Sequence, residues 1–321
     1  MQRTFFTIKS LCFVKIFYRI VINYEFKIFI KMIKKYSLLF AIGLIWGSQF
    51  IFQKEAIEHF PPILIAFARS FIGCLILCFV CYFLGLKSKS FKKDFAIYSL
   101  IAFLEATMPF MLIPWGQKFT SPSITAILTG TVPFFVVLLG PFVVNSRITF
   151  ANILSISVGF IGLLILFYPN LVADNHSINI YGILAILLAT TSFALALLLL
   201  SKSCFHDNPI IVSRNILIAS TLQLSILLII FKPSYASIHS STFALSSLVY
   251  LGIFCAGIVY FLYASLIKVA GPVFTSFTNY LVPLFGVIFG ILINHDPSNI
   301  TVWISLIIIL SAVSLNYITK H

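Results

Sequence analysis

The sequence predicts an all-α integral membrane protein with ten transmembrane helices in two inverted five-helix repeats. Three observations predict this class: a very apolar composition, ten apolar stretches of membrane-spanning length, and an internal duplication. Of the 321 residues, 60% are apolar and 9% are charged, and the mean hydropathy is +1.10. A soluble domain carries roughly 25% charged residues, so this chain could not cover itself with a polar surface.

Composition and charge exclude several other classes of protein. The 35 Phe and 13 Tyr are too much apolar area for a disordered chain. The apolar runs are continuous, whereas a β-barrel shows short alternating segments. The net charge is +13, but the basic residues are scattered between apolar runs instead of gathering as in a nucleic-acid-binding domain. We therefore expect contact with membrane lipids and none with nucleic acid.

Ten apolar stretches are each long enough to cross a bilayer, whose core of about 30 Å requires roughly 20 helical residues. They cover residues 37–54, 61–84, 94–114, 121–143, 150–168, 180–200, 210–231, 243–265, 271–293 and 301–319. Prolines stand at several of the helix starts, where the N–H that proline lacks has no helical partner. The connections are short, so no extramembrane domain is expected.

The basic residues predict the orientation of the spans, because cytoplasmic loops carry an excess of Lys and Arg. With the N-terminus in the cytoplasm, sixteen basic residues fall inside and three fall outside, while Arg69 and Arg214 lie within the membrane. An even number of spans then places both termini in the cytoplasm. We expect a multi-pass protein of the cytoplasmic (inner) membrane of a bacterium.

Residues 1–35 form a basic extension before the first span. Lys15, Arg19, Glu25 and Lys27 interrupt every window long enough to cross a membrane, and no small-residue cleavage site of a secretory signal follows. Two interpretations remain open: a helix lying on an anionic membrane surface, or a mis-assigned start, with the true start at Met32. The repeats then cover residues 36–170 and 178–320.

An internal duplication appears when the chain is shifted by 150 residues. The segment 118–140 then matches the segment 268–290 at eight of 23 positions without a gap, including a lysine and two prolines. The shift spans five predicted helices, an odd number, so the two copies have opposite orientations in the membrane. Inverted repeats of this kind build secondary transporters, whose substrate sites lie near the midplane between the repeats.

Several short motifs carry a family resemblance. Trp46-Gly47-Ser48 in the first span, Pro62 followed by Arg69 in the second, and the proline pairs of the duplicated segments resemble the EamA-type family of the drug/metabolite transporter superfamily. The resemblance covers residues 36–320. It implies ten helices in two inverted repeats and a bacterial inner-membrane carrier for metabolites, amino acids or amphipathic compounds.

The ionisable residues inside the predicted spans are candidate functional residues, because such groups are costly in hydrocarbon. Arg69 and Glu105 lie at similar depths in consecutive helices and could form a pair. Two interpretations remain open: a structural pair that stabilises the first repeat, or direct contact with the substrate. Glu105 could also take up a proton, because burial disfavours the charged carboxylate. For Arg214 two interpretations are open. It is the equivalent of Arg69 in the second repeat, or its side chain extends to the phosphates of the lipids.

Uncharged polar and aromatic residues complete the predicted site. Thr125, Thr129 and Pro133 form one helical stripe, and Thr275, Asn279 and Pro283 repeat it. The further candidates are Trp46, Ser48, Gln49, Tyr260, Tyr263 and Tyr280. Together they predict a mixed polar and aromatic cavity. The alternatives are space filling by Trp46 and hydrogen bonds from the threonines to their own helices.

The sequence indicates a transporter and not an enzyme. All six His lie in loops or at the terminus, and no hydrolase, protease or nucleotide-binding motif is present. The cysteines show no metal-ligand pattern, so no metal or cofactor is expected. We predict a secondary transporter that moves a small zwitterion or anion, such as an amino acid or a nucleotide-like or amphipathic metabolite, by alternating access. The alternative is a structural or assembly membrane protein that moves nothing. The sequence does not indicate the oligomeric state or the direction of transport.

Overall fold

A computed structural model describes residues 2–86, 91–117, 119–120, 122–173, 180–203, 207–233, 241–293 and 300–318. Within these ranges the secondary structure is helical, and no strand is present. The helices of the first half are α1 Gln2–His59, α2 Pro62–Phe83, α3 Phe91–Ala102, α4 Met108–Gln117, α5 Pro122–Thr129, α6 Val132–Val144 and α7 Phe150–Ala173. Those of the second half are α8 Ile180–Ser203, α9 Pro209–Phe231, α10 Thr242–Gly252, α11 Val259–Ala270, α12 Pro272–Ser276, α13 Thr278–Ile293 and α14 Ile300–Ile318.

Eight helical stretches of the described chain are long and apolar enough to cross a membrane. They are Pro62–Phe83, Asp94–Gly116, Ile124–Val144, Phe150–Pro169, Ile180–Ser203, Pro209–Phe231, Thr242–Ala270 and Pro272–Ile293. A shorter apolar stretch, Ile300–Leu315, lies in α14. Each of the eight overlaps a predicted span. Membrane crossing therefore follows from composition and helix length along most of the chain.

The predicted count of ten spans is only partly recovered. The first predicted span lies within α1, which is not among the eight stretches, and the tenth coincides with the shorter stretch in α14. The side chains of residues 1–28 and the whole of Lys118 lie outside the described residues. The two interpretations of the N-terminal extension and the sidedness of Lys118 therefore stay predictions.

Two π-helical segments interrupt long helices at matching places in the two halves. Segment π1, Phe103–Thr107, joins α3 to α4, and segment π2, Ile253–Ile258, joins α10 to α11. They begin 150 residues apart. π-Helical turns are rare and concentrate at functional sites. Neither segment is predicted from the sequence.

Each π-helical segment presents a carbonyl to the opposite half of the chain. The indole Nε1 of Trp46 in α1 donates to the Cys255 carbonyl in π2 over 3.1 Å. The Ser192 hydroxyl in α8 donates to the Leu104 carbonyl in π1 over 2.7 Å. Helical distortions arise where a side chain enters the hydrogen-bond ladder. These two contacts therefore stabilise the π-helical turns.

The two halves pack by exchanging their first helices. In the first half, α1 lies against α10, α11 and α13 of the second half. In the second half, α8 lies against α4, α5 and α6 of the first half. The helices α2 and α9 cross at the centre of the bundle, and α7 packs along α14. This interlocked arrangement leaves a cavity between the halves.

A buried hydrogen-bond network ties the centre of the bundle together. The Ser70 and Ser220 hydroxyls, on α2 and α9, are 3.1 Å apart, and both residues are fully buried. The Thr107 hydroxyl of π1 donates to Gln223 Oε1 over 2.6 Å. Gln223 Nε2 in turn donates to the Ser99 carbonyl over 2.8 Å. Buried polar groups of this kind stabilise a fold only when all of them have partners.

The network predicts that Gln223→Ala destabilises the protein. The substitution would remove the hydrogen bonds that Gln223 makes with the Thr107 hydroxyl and the Ser99 carbonyl, at a cost of about 1–3 kcal/mol. We expect a lower midpoint of thermal unfolding in detergent. Ser225→Ala, on the same helix, is the control, because Ser225 bonds only to the Thr221 carbonyl of its own helix. Equal midpoints for the two variants would contradict the prediction.

Candidate transport cavity

A cavity of about 190 Å³ lies between the two halves of the bundle. A buried water requires roughly 10–15 Å³ of such space, so the cavity holds on the order of ten waters or a small organic molecule. Its polar lining residues are Gln49, Gln53, Arg69, Glu105, Thr125, Thr129, Tyr260, Tyr263 and Asn279. Its apolar walls include Trp46, Phe50, Pro109, Phe110, Phe193 and Val282. The cavity thus combines two charged residues with an aromatic surface.

The cavity reaches one end of the bundle. Its lining on α1 runs from Trp46 to Ile57, a distance of about 16 Å at 1.5 Å per residue. Ile57 is exposed, and Pro62 at the start of α2 lies at the same end. The end of α1, the start of α2 and the end of α4 therefore surround the mouth.

The opposite end of the bundle is closed by aromatic side chains. Tyr36 contacts Phe274 edge to face at 5.5 Å between ring centroids, and Phe274, Phe277 and Tyr280 follow one another at 6.3 and 5.8 Å. The last three are fully buried. Tyr36 precedes Trp46 by ten residues, or about 15 Å along α1. The cavity is thus open at one end and sealed by a thick aromatic layer at the other.

Arg69 is held in the cavity wall by two contacts from other helices. Its Nη2 donates to the Cys255 carbonyl over 2.8 Å, and its guanidinium carbon lies 4.5 Å from the centroid of the Phe110 ring. The side chain is only 7% exposed. Its Nε has no hydrogen-bond partner in the described structure. Arg69 therefore presents a fixed positive charge with a spare donor.

Glu105 lines the same cavity from the middle of π1 and is 2% exposed. No ion pair within 4 Å joins it to Arg69, although both residues are described. The two charges that were expected to pair share the cavity without a salt bridge. Glu105 Oε2 and Gln49 Oε1 are buried and lack partners among the described residues. Buried polar atoms without partners are rare and call for an explanation.

Trp46 belongs to the cavity wall and to the contact between the halves. Its ring lies 5.2 Å from that of Tyr263, and both residues line the cavity with Tyr260. Its indole nitrogen shares the Cys255 carbonyl with Arg69. The π2 carbonyl thereby orients one aromatic and one cationic side chain of the first half.

The predicted threonine stripe is interrupted in the structure. Helix α5 ends at Thr129, and α6 starts at Val132. Pro133 has no N–H to donate to the Thr129 carbonyl four residues earlier, which favours a break. Thr125 and Thr129 line the cavity, whereas Pro133 is buried within the bundle. In the second half, Asn279 and Pro283 both line the cavity from α13.

Most of the predicted site residues surround this cavity. They are Trp46, Gln49, Arg69, Glu105, Thr125, Thr129, Tyr260, Tyr263, Asn279 and Pro283. Their roles in binding stay predictions, because placement beside a cavity does not establish contact with a substrate.

The remaining predicted residues lie elsewhere. Ser48 bonds to the Tyr250 hydroxyl, and Thr275 donates to the Gly271 carbonyl of its own chain segment. Tyr280 donates to the Ile156 carbonyl over 2.9 Å. Arg214 donates to Asn215 Oδ1 over 2.8 Å. These side chains, like that of Pro133, contribute to packing around the cavity and not to its lining.

Several lining residues were missed from the sequence. Gln53 follows Gln49 by one helical turn, so the helical period of α1 could have identified it. Phe110 and Phe193 gave no such signal, because Phe is common throughout this chain. The role of the Cys255 carbonyl as an acceptor for Arg69 was also not predictable, since this carbonyl is available only because of the π-helical turn π2.

Fold and site together define a multi-pass helical membrane protein with a charged central cavity. Residues 33–168 and again residues 180–318 match the EamA-like transporter family. The chain belongs to this family.

Several relatives of this chain are named as uncharacterized transporters, and one is named as a WAT1-related protein. The chain is 24% identical over 289 residues to the uncharacterized transporter YoaV of Bacillus subtilis, covering 90% of this chain and 98% of YoaV. An uncharacterized transporter of Clostridium kluyveri is 24% identical, with 89% and 94% covered. The WAT1-related protein At3g02690, chloroplastic, of Arabidopsis thaliana is 24% identical, with 80% and 63% covered. The chain is thus similar in sequence to transporters over most of its length.

A solved crystal structure resembles the fold with a TM-score of 0.74 at 14% sequence identity. The similarity covers 88% of this chain and 96% of the other. At this identity it supports the helical architecture alone.

Proposed function

We propose that this protein is a secondary carrier that moves a small zwitterion or anion, such as an amino acid or a nucleotide-like metabolite, through the central cavity. The observation that carries the proposal is the set of buried polar atoms without partners in one cavity: Arg69 Nε, Glu105 Oε2 and Gln49 Oε1. A solute with an acidic and a donor group is chemically complementary to these three side chains, which all line the cavity. The aromatic walls would hold its apolar part.

The carrier is built from ten helices in two inverted repeats. Three features support this arrangement: the exchanged packing of α1 and α8, the π-helical segments that begin 150 residues apart, and the contact of Ser70 with Ser220, also 150 residues apart. Residues separated by the repeat length meet where a two-fold axis passes. The separate family matches of the two halves agree with a duplication.

Transport follows an alternating-access cycle in which the two repeats rock about the cavity. The open mouth and the aromatic layer correspond to one end state of such a cycle. The excess of basic residues on the opposite side supports a mouth that opens outside a bacterial cytoplasmic membrane, with both termini inside. The structural or assembly alternative predicts a closed apolar centre, and a charged cavity favours the carrier.

The proposal predicts solute movement by the purified protein. Proteoliposomes loaded with a labelled panel of amino acids, nucleotides and organic acids should exchange at least one compound faster than protein-free liposomes. The panel is measured with and without a pH gradient. Exchange no faster than in protein-free liposomes for every compound would favour a structural or assembly role.

A further inference from the structure

Glu105 is a buried carboxyl group that no described contact neutralises. It is 2% exposed, and its Oε2 has no hydrogen-bond partner in the described chain. Among the other acidic residues with described side chains, Glu55, Glu58, Asp94 and Asp207 lie near helix ends. An unpaired carboxylate in a hydrocarbon layer is costly. A cation from outside the protein must therefore neutralise Glu105 for part of the time.

Arg69 does not supply that positive charge. Its guanidinium group is held by the Cys255 carbonyl and the Phe110 ring, and it forms no ion pair with Glu105. The other titratable groups that line the cavity with Glu105 are Tyr260 and Tyr263. Phenolic hydroxyls carry no positive charge. No described side chain that lines the cavity therefore forms an ion pair with the Glu105 carboxylate.

The described side chains of the helices packed against π1 bring no cation to Glu105 either. Helix α4 has no titratable residue. The titratable residues on the other contacting helices are Lys92, Lys93, Asp94 and Tyr98 on α3, Tyr181 and Lys202 on α8, and Arg214 on α9. The lysines lie at helix ends, and Arg214 is engaged by Asn215. Tyr98 donates to Asp207 over 2.8 Å, away from the cavity.

We propose that Glu105 is the proton site of the carrier, an inference that rests on the proposed transport function. A proton requires only the carboxylate itself. A divalent metal ion requires about six oxygen ligands. The described residues contain no group of three or more His, Cys, Asp or Glu that could hold a metal ion, and Glu105 is flanked in the lining by Pro109 and Phe110.

Protonation of Glu105 couples to the solute through the charge of the cavity. When Glu105 is protonated, the cavity carries one net positive charge, that of Arg69. This charge attracts the acidic group of the solute. When Glu105 releases its proton to the other side, the fixed charges cancel and this attraction weakens. Proton and solute therefore bind together and leave together, which gives symport.

An infrared pH titration of the full-length protein in liposomes tests the proton site without any solute. We expect a carbonyl band of a protonated carboxyl group that is lost in Glu105→Gln and kept in Glu58→Gln, whose side chain is exposed at the end of α1. A wild-type spectrum in which no such band depends on Glu105 overturns the proposal. Loss of the band on adding NaCl at constant pH also overturns it, because the site would then bind sodium.

Transport with a ¹⁴C-labelled mixture of amino acids tests the coupling. Glu105→Gln cannot take up or release a proton, so accumulation of the label by this variant should no longer respond to a pH gradient. Accumulation at the wild-type level in Glu105→Gln overturns the proposal. If the wild type moves no amino acid, that result counts against the proposed solute class, and the infrared titration still decides whether Glu105 binds the proton.

Discussion

Replacing Arg69 by alanine should strongly weaken transport while the protein still folds and reaches the membrane. The guanidinium group is the only basic group that lines the described cavity, and its Nε has no hydrogen-bond partner in the described chain. A hydrogen bond to a charged group contributes about 1.5–3 kcal/mol. Its loss should weaken the apparent affinity by roughly 10- to 150-fold. The measurement is exchange in proteoliposomes of the compound identified by the panel.

The matched control is Arg214→Ala. Arg214 is the other arginine within the predicted spans, but its side chain bonds to Asn215 and does not line the cavity. We expect Arg214→Ala to retain transport and Arg69→Lys to retain part of it, since lysine keeps the charge but not the planar donors. Full activity of Arg69→Ala at the wild-type expression level would show that this arginine does not contribute to solute binding.

Much of the helical architecture was predictable because membrane helices depend on composition and length. Eight predicted spans overlap helical stretches of the structure, since a run of about 20 apolar residues in a bilayer must satisfy its own backbone. The π-helical segments were not predictable, because they depend on Trp46, Arg69 and Ser192 donating to carbonyls in the opposite half. Such long-range contacts leave no local pattern in the sequence.

The same distinction applies to the cavity. Arg69 and Glu105 were identified because charged residues inside a span are conspicuous, and both line the cavity. Their failure to pair could not be predicted, since depth along a helix does not give the direction of a side chain. Tyr280 was misplaced for the same reason: its hydroxyl reaches the Ile156 carbonyl and not the cavity.

Where α2 crosses π2, a single added methyl group should destabilise the protein when it is placed on α2 but not when it is placed on π2. A Cβ on Gly73 would lie 2.9 Å from the Gly257 backbone nitrogen and 2.9 Å from the Ala256 Cβ. A Cβ on Gly257 would lie no closer than 3.5 Å to any atom, which is an ordinary contact. Backbone atoms of packed helices cannot move aside cheaply, so overpacking at Gly73 costs about 1–3 kcal/mol.

Gly73→Ala should therefore lower the midpoint of thermal unfolding in detergent, whereas Gly257→Ala should leave it unchanged or raise it. The two glycines face each other across one contact, so the pair controls for the chemistry of the substitution and for its depth in the membrane. The Cys255 carbonyl that holds Arg69 belongs to the same π-helical segment. Displacing that segment should also reduce transport by Gly73→Ala. Equal midpoints and equal transport in the two variants would mean that the helices do not cross as closely as described.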